Sequence, residues 1–345
     1  MSLAKRRCCV IRHGALGDSI VASACLSYLH NDGYIIDFLT NARGQDILKH
    51  NPRINKLLHF EDNMVPLEYL GNYYDAVAED YDMTVVLTQS IEALYLHAFP
   101  SEAYYWTLPK RRKRCDVNYY EETIRAAGYE PIEGRATGEL YFSKDDILFS
   151  RGIRHQYKDN FLIIWALAGS ALHKSYLYFE PVARAILRHI PEAVIFATGQ
   201  IQEVSLTFRH PRLIPMALYY PKQTFMSACS LTKVADLVLG PETGLLNAAG
   251  CFDTPKMVFL THSSKTNLTK TWTNDYSLQS MTACSPCHIL HNTKHIWERI
   301  CPLDKVLWAD VEAKAPACVG EGFPPGMVFK KVMNIYETHK KGRMV

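Results

Sequence analysis

A chain of 345 residues, 48% hydrophobic and 21% charged, can bury enough apolar surface for two ordinary domains and is long for one. Its formal net charge of +3 is too small to demand a polyanionic partner, and its apolar runs, such as 161–168, fall far short of the ~18 residues that span a bilayer. The basic trio Lys5, Arg6, Arg7 is followed by an apolar stretch interrupted by Arg12, His13 and Asp18, which breaks up any export-signal core, so a cytoplasmic protein with at most peripheral membrane contact is expected.

Residues 8–12 form a short apolar run ending in His13-Gly14-Ala15-Leu16-Gly17, after which Ile20, Val21, Ala24, Leu26 and Leu29 recur at helical spacing: strand, glycine turn, helix. A second β-branched and aromatic run at 34–39 completes a βαβ unit, which forces a parallel sheet, and 82–87 reads as a further strand. The basic run Lys110 to Arg114 reads as a solvated loop. After the polar stretch 143–160 the pattern restarts, with strands at 161–166, 193–198, 236–240 and 256–260. Helices at 178–189, at 223–234 and after Glu242-Thr243-Gly244 alternate with these strands. Periodicity weakens over 261–325, and 328–339 reads as a final helix. Two domains result, 1–155 and 156–325, followed by a C-terminal helix in 326–345 that packs back on the first. Of ten cysteines, Cys8, Cys9, Cys25, Cys229 and Cys251 lie in apolar surroundings and read as small core hydrophobes in a reducing compartment.

Three motifs carry candidate chemistry. In Arg12-His13-Gly14-Ala15-Leu16-Gly17-Asp18, two glycines allow a tight turn and close approach of a ligand, while Asp18 opens a helix, either as a cap or as a reacting carboxylate. In the second, a small-residue turn after a strand, Gly169-Ser170, is followed by His173-Lys174. Amides and hydroxyls there suit diphosphate oxygens while the ammonium offsets their charge; a solvated lysine fits as well. The third is the strand 237–240 ending in Pro241-Glu242-Thr243-Gly244, an acid and a hydroxyl at the carboxyl end of a strand, where α/β sheets bind ligands. Gly199, after the 193–198 strand, is placed to approach a nucleotide.

These motifs, in this order, resemble the heptosyltransferases of glycosyltransferase family 9. The stretch 10–58, with Gly17-Asp18, Asp37-Phe38-Leu39 and Asn51-Pro52-Arg53-Ile54, looks like the start of such an enzyme. Residues 236–259 are similar to its most recognisable motif, and Gly169 with Lys174 looks like its phosphate loop. The resemblance implies an α/β, GT-B fold: two Rossmann-like domains whose parallel sheets face an interdomain cleft, the first binding the acceptor and the second the donor. It also implies an inverting transfer from a nucleotide-diphosphate sugar, usually ADP-heptose, to a saccharide or glycolipid of the lipopolysaccharide type, with no cofactor required for catalysis. Asp18 would be the general base, within an acceptor-side loop formed by Arg12, His13, Gly14 and Gly17. Lys174, Gly169, Ser170, Glu242, Thr243, Gly244 and Gly199 would hold the donor. The family usually has Asp where Glu242 stands, His in place of Asn247 and Trp-Pro in place of Tyr176-Leu177, so an altered donor stays open.

Cys284-x-x-Cys287, with Cys301 and Cys318 following, has spacing that fits a structural zinc site, and fits a packed thiol group equally. Three other functions remain open. Lys110 to Arg114 with Trp106, Tyr119 and Tyr120 could serve a nucleic-acid acceptor by phosphate contact and base stacking. The departures at Glu242 and Asn247 are compatible with a non-catalytic nucleotide-sugar-binding protein. A nicotinamide dehydrogenase is disfavoured by the missing GxGxxG.

Overall fold

A computed structural model describes residues 6–61, 64–87, 106–134, 136–169, 172–205, 207–288 and 316–343. The described chain divides into two compact units, one ending at Ser143 and taking in Thr266–Thr271 from later in the sequence, the other beginning at Lys144.

The first unit is built on four strands, β1 (Arg7–Ile11), β2 (Ile35–Thr40), β3 (Ile54–His59) and β4 (Met83–Val86), in the order β3-β2-β1-β4. All pairs are parallel, with Val10 opposite Phe38 and Val85. Crossover helices include α1 (Leu16–Ala22), whose Ile20 and Val21 are buried, and the helix Ala42–Leu48, capped by the Asn41 side chain on the Gly44 amide. Buried strands read as continuous apolar runs because both faces are covered. Asp37, in the middle of β2 and 1% exposed, breaks that rule and is satisfied in place by Asn55, Tyr81 and Arg7 at 2.8–2.9 Å. Burial would push its carboxyl up, but those donors outweigh it and hold the pKa below the ordinary value. Cys8 and Cys9 are fully buried and their thiols are pushed up to about 12 by burial, consistent with inert core groups.

Two further helices of the first unit are α2 (Leu108–Cys115) and α3 (Tyr119–Ala126). The basic run expected as a loop is therefore helical. Asn118 caps α3 and also donates to the Thr266 carbonyl, while the fully buried Asn267 donates to the carbonyls of Cys115 and Val117. That pair of asparagines ties Thr266–Thr271 to the first unit.

The second unit opens with α4 (Lys144–Gln156), which moves the boundary from the expected 155 back to 143. Its polar sequence resembles a linker, but Asp146 accepts from Ser227 Oγ at 2.7 Å and Arg154 pairs with Asp236 at 2.8 Å, so the polar groups are partnered within the unit. The sheet comprises β5 (Phe161–Ala166), β6 (Ala193–Thr198), β7 (Leu213–Pro215), β8 (Leu237–Pro241), β9 (Lys256–Leu260) and β10 (Leu278–Gln279), in the order β10-β9-β8-β5-β6-β7, all parallel. Every residue of β5, β6, β8 and β9 is buried. Over this sheet lies α5 (Phe179–His189), which buries Val182, Ala183, Ile186 and Leu187 and turns Glu180 and Arg184 outward as an i,i+4 ion pair. The final helix, α6 (Pro325–Arg343), was expected to return to the first domain. It packs instead on α5, contributing Val328, Val332, Ile335 and Tyr336 to the second core. These four residues form an i, i+4, i+7, i+8 apolar stripe that shares its core with the buried residues of α5. No helix among the described residues is long and apolar enough to cross a membrane.

Candidate active site

In the first unit the chain leaves β1 at Arg12, whose amide still bonds to Leu39 of β2. It then turns at Gly14 and enters α1. Gly14 has φ +130, and a Cβ there would sit 2.6 Å from Asp18 Oδ2, so glycine is required both by the backbone and by the carboxylate packed against it. Asp18 Oδ2 accepts from the Ala15 amide at 2.9 Å and pairs with Arg12 Nη2 at 3.2 Å. Arg12 is itself buried, with Nη1 donating to the Leu87 carbonyl at 2.8 Å. Both contacts fall on Oδ2 of this partly exposed carboxylate, and neither engages Oδ1. A capping role for Oδ2 therefore does not exclude a reacting role for Oδ1. His13 stacks on Phe60, ring centroids 4.4 Å apart, with Nε2 3.1 Å from the Tyr74 hydroxyl. Gly17 lies in the first turn of α1.

In the second unit three strand ends converge. After β5 the chain passes Gly169 and reaches a 3-10 turn, Leu172–Lys174, closed by the Gly169 amide on the Lys174 carbonyl at 2.7 Å and by an antiparallel bridge of Ala168 with Ser175. A Cβ on Gly169 would lie 2.8 Å from Lys174 Cβ and 3.1 Å from Thr243 Cγ2, so glycine, lysine and threonine meet at one point. Lys174 is half-buried and forms no ion pair among the described residues. Thr243 Oγ1 is shielded from solvent with no hydrogen-bond partner among them. A lysine outside any ion pair and a shielded hydroxyl, both beside the Gly169 turn, are groups that could receive the oxygens of an anionic ligand. Gly244 begins the helix Gly244–Gly250 beside them. Gly199 follows β6 one strand away and packs on Glu203, whose carboxylate accepts from the Gln200 amide at 2.7 Å. Ser170 and Cys301 lie outside the described residues.

Glu242 is turned inward. It is 5% exposed, its Oε1 accepts from the Thr261 amide at 2.7 Å and the Ser263 amide at 3.4 Å, and Oε2 lies 2.8 Å from His262 Nδ1. Burial alone would raise this carboxyl, but His262, Lys174 and the Thr261 amide hold it well below the usual carboxylate range. Behind it, the His173 ring meets the His262 ring with centroids 5.1 Å apart, and burial together with His262 and Lys174 pulls the His173 imidazole down to about 3. Thr261 and His262 were not picked out in the sequence. They open a segment whose lost periodicity hid them, and only the fold sets them against Glu242.

One expectation needs correction, and one is left open because Cys301 lies outside the described residues. Tyr119 and Tyr120 are buried, and the face of Trp106 carries Lys110 Nζ at 4.6 Å from its ring centroid, so the aromatic rings that base stacking required are not presented. Cys284, Cys287 and Cys318 are half-buried, and no group of three or more His, Cys, Asp or Glu among the described residues could hold a metal ion.

No protein-family model and no curated protein matches the chain. Solved structures do. A glycosyl transferase family 9 protein from Veillonella parvula superposes with a TM-score of 0.64 at 12% identity, covering 97% of this chain and 98% of its own. The ADP-heptose lipopolysaccharide heptosyltransferase II of Escherichia coli gives 0.61 at 13%, covering 97% and 99%. The dodecameric iron-containing heptosyltransferase TibC of enterotoxigenic E. coli, in complex with ADP-D-β-D-heptose, gives 0.56 at 12%, covering 97% and 77%. The chain has a GT-B fold. At such identities the likeness is one of architecture, and within that GT-B frame Asp18 follows the first strand of one sheet while Gly169, Lys174 and Thr243 gather at the carboxyl ends of β5 and β8 in the other.

Proposed function

We propose that this protein is an inverting glycosyltransferase that moves a sugar from a nucleoside-diphosphate donor to an acceptor hydroxyl. The observation that carries the proposal is the meeting of Gly169, Lys174 and the unmatched Thr243 hydroxyl at the carboxyl ends of β5 and β8, the part of an α/β sheet where ligands bind. Lys174 would offset the charge that builds on the departing diphosphate as the bond to the anomeric carbon breaks, and Thr243 would donate to a phosphate or sugar oxygen. Asp18 would take the proton of the acceptor hydroxyl through Oδ1 as that oxygen attacks the opposite face of the sugar, with Arg12 and the Ala15 amide fixing the carboxylate. A positioned base contributes typically about 10²–10⁴-fold. An ADP-linked heptose is the donor favoured by likeness to the heptosyltransferase structures, and a saccharide or glycolipid is the matching acceptor. The domain assignment follows: acceptor chemistry in the first unit, donor binding in the second.

The test is calorimetric titration with ADP, UDP and GDP of the wild type, Lys174→Ala and Asp18→Asn. One nucleotide should bind saturably to the wild type and to Asp18→Asn, with affinity at least about tenfold weaker in Lys174→Ala, as expected when a charged hydrogen-bond partner is lost. Absence of binding by every nucleotide would reject the transferase assignment.

A further inference from the structure

The cluster behind Lys174 ties three strands that are far apart in sequence. Glu242 leaves β8, Thr261 to Ser263 leave β9, and His173 precedes Lys174 after β5. Both Glu242 oxygens are taken up internally, by the Thr261 and Ser263 amides and by His262 Nδ1, so this carboxylate holds the turn at Thr261–Ser263 and has no oxygen left for a ligand. The Thr261 hydroxyl, 3.4 Å from Glu242 Oε1, donates to the His173 carbonyl at 3.0 Å. That carbonyl belongs to the peptide joining His173 to Lys174. On the other side the Lys174 carbonyl is held by the Gly169 amide at 2.7 Å. The lysine backbone is therefore gripped from both sides, and one grip passes through Thr261 to Glu242.

We infer that Glu242 and Thr261 are positioning residues for Lys174: Glu242 sets the Thr261–Ser263 turn, and the Thr261 hydroxyl hands that placement to the His173–Lys174 peptide. The inference rests on Lys174 being the diphosphate cation, as proposed above. It moves Glu242 from the donor-holding set that the family resemblance implied to the layer behind it. A buried carboxylate that anchors two backbone amides does not re-aim for a ligand without leaving those amides unsatisfied. A lysine side chain, by contrast, has many rotamers, and its usefulness to a diphosphate depends on where its backbone is anchored.

Thr261→Val is nearly isosteric and removes only the hydroxyl, leaving the amide on Glu242. We expect it to weaken binding of the preferred nucleoside diphosphate about 5- to 10-fold, on the order of one hydrogen bond, while binding of the matching nucleoside, which lacks phosphates, changes less than about twofold. Thr261→Ser should restore diphosphate affinity to within about twofold of wild type. Glu242→Gln should reproduce the selective loss of diphosphate affinity, and it carries the prediction if Thr261→Val does not fold. Lys174→Ala, titrated alongside, separates the two ideas. Retention of diphosphate affinity in Lys174→Ala overturns the role of Lys174 and this inference with it. Loss in Lys174→Ala with wild-type affinity in Thr261→Val overturns the positioning role alone, as does an equal loss for nucleoside and diphosphate, which marks general distortion.

Discussion

His173 shows how a site can put its own stability at risk. Its ring is half-buried against His262 with Lys174 next in sequence, and its pKa falls from 6.5 to about 3. In the unfolded chain it takes up a proton as pH drops through about 6.5, whereas in the folded chain it stays neutral down to about 3, so stability is full above 6.5 and declines as pH falls between those values. Discounted for partial solvent screening, the loss should be about 1 kcal/mol at pH 5. Thermal melts at pH 7 and pH 5 should therefore show a smaller acid shift for His173→Gln than for wild type; equal shifts would show that another group is responsible. At this scale the sequence showed the candidate site residues and hid their partners. Asp18, Lys174, Gly169 and Thr243 each sit in a short local pattern of turn, hydroxyl and charge that can be recognised on its own. Thr261 and His262 have no such pattern, because their roles come from contacts across 19 to 88 positions of sequence.

Among the elements, legibility followed burial. The strands 161–166, 193–198 and 256–260 coincide with β5, β6 and β9 because a strand covered on both faces must be apolar throughout. Edge strand β3, with its mixed sequence INKLLH, and the three-residue β7 carry too little pattern to stand out. Helix α4 reads as a polar linker because Asp146 and Arg154, which fasten it, look solvent-facing until their partners Ser227 and Asp236 are known. Helix α6 was legible as a helix but not in its docking, since an apolar stripe states that a face is covered and not by what. Ile335, 2% exposed within the core that α6 shares with α5, is the most direct probe. Ile335→Ala should destabilise the second unit by about 2–5 kcal/mol, read as a lower melting temperature of that unit in calorimetry, with little change in the first. A change below about 0.5 kcal/mol would mean that the helix contributes little to the fold.

At the level of the whole chain, the two units are not two consecutive lengths of sequence. Residues 1–143 expressed alone lack Asn267, so the Cys115 and Val117 carbonyls lose the donor that meets them, and Asn118 Nδ2 loses the Thr266 carbonyl. Each unmatched buried group costs about 1–3 kcal/mol. The isolated fragment should melt well below the first unit of the intact chain, and a synthetic peptide of residues 264–272 added in excess should raise its midpoint; a fragment as stable as the parent unit would show that the strap is dispensable. The same strap bears on how such proteins can be recombined. In a chimera made by joining the first 143 residues of a relative to residues 144–345 of this chain, the imported half would meet the host's Asn267 in place of its own strap. Exchange of one half for another therefore requires a coordinated second replacement about 120 residues downstream, at Thr266–Thr271, and a single crossover at the unit boundary does not deliver it.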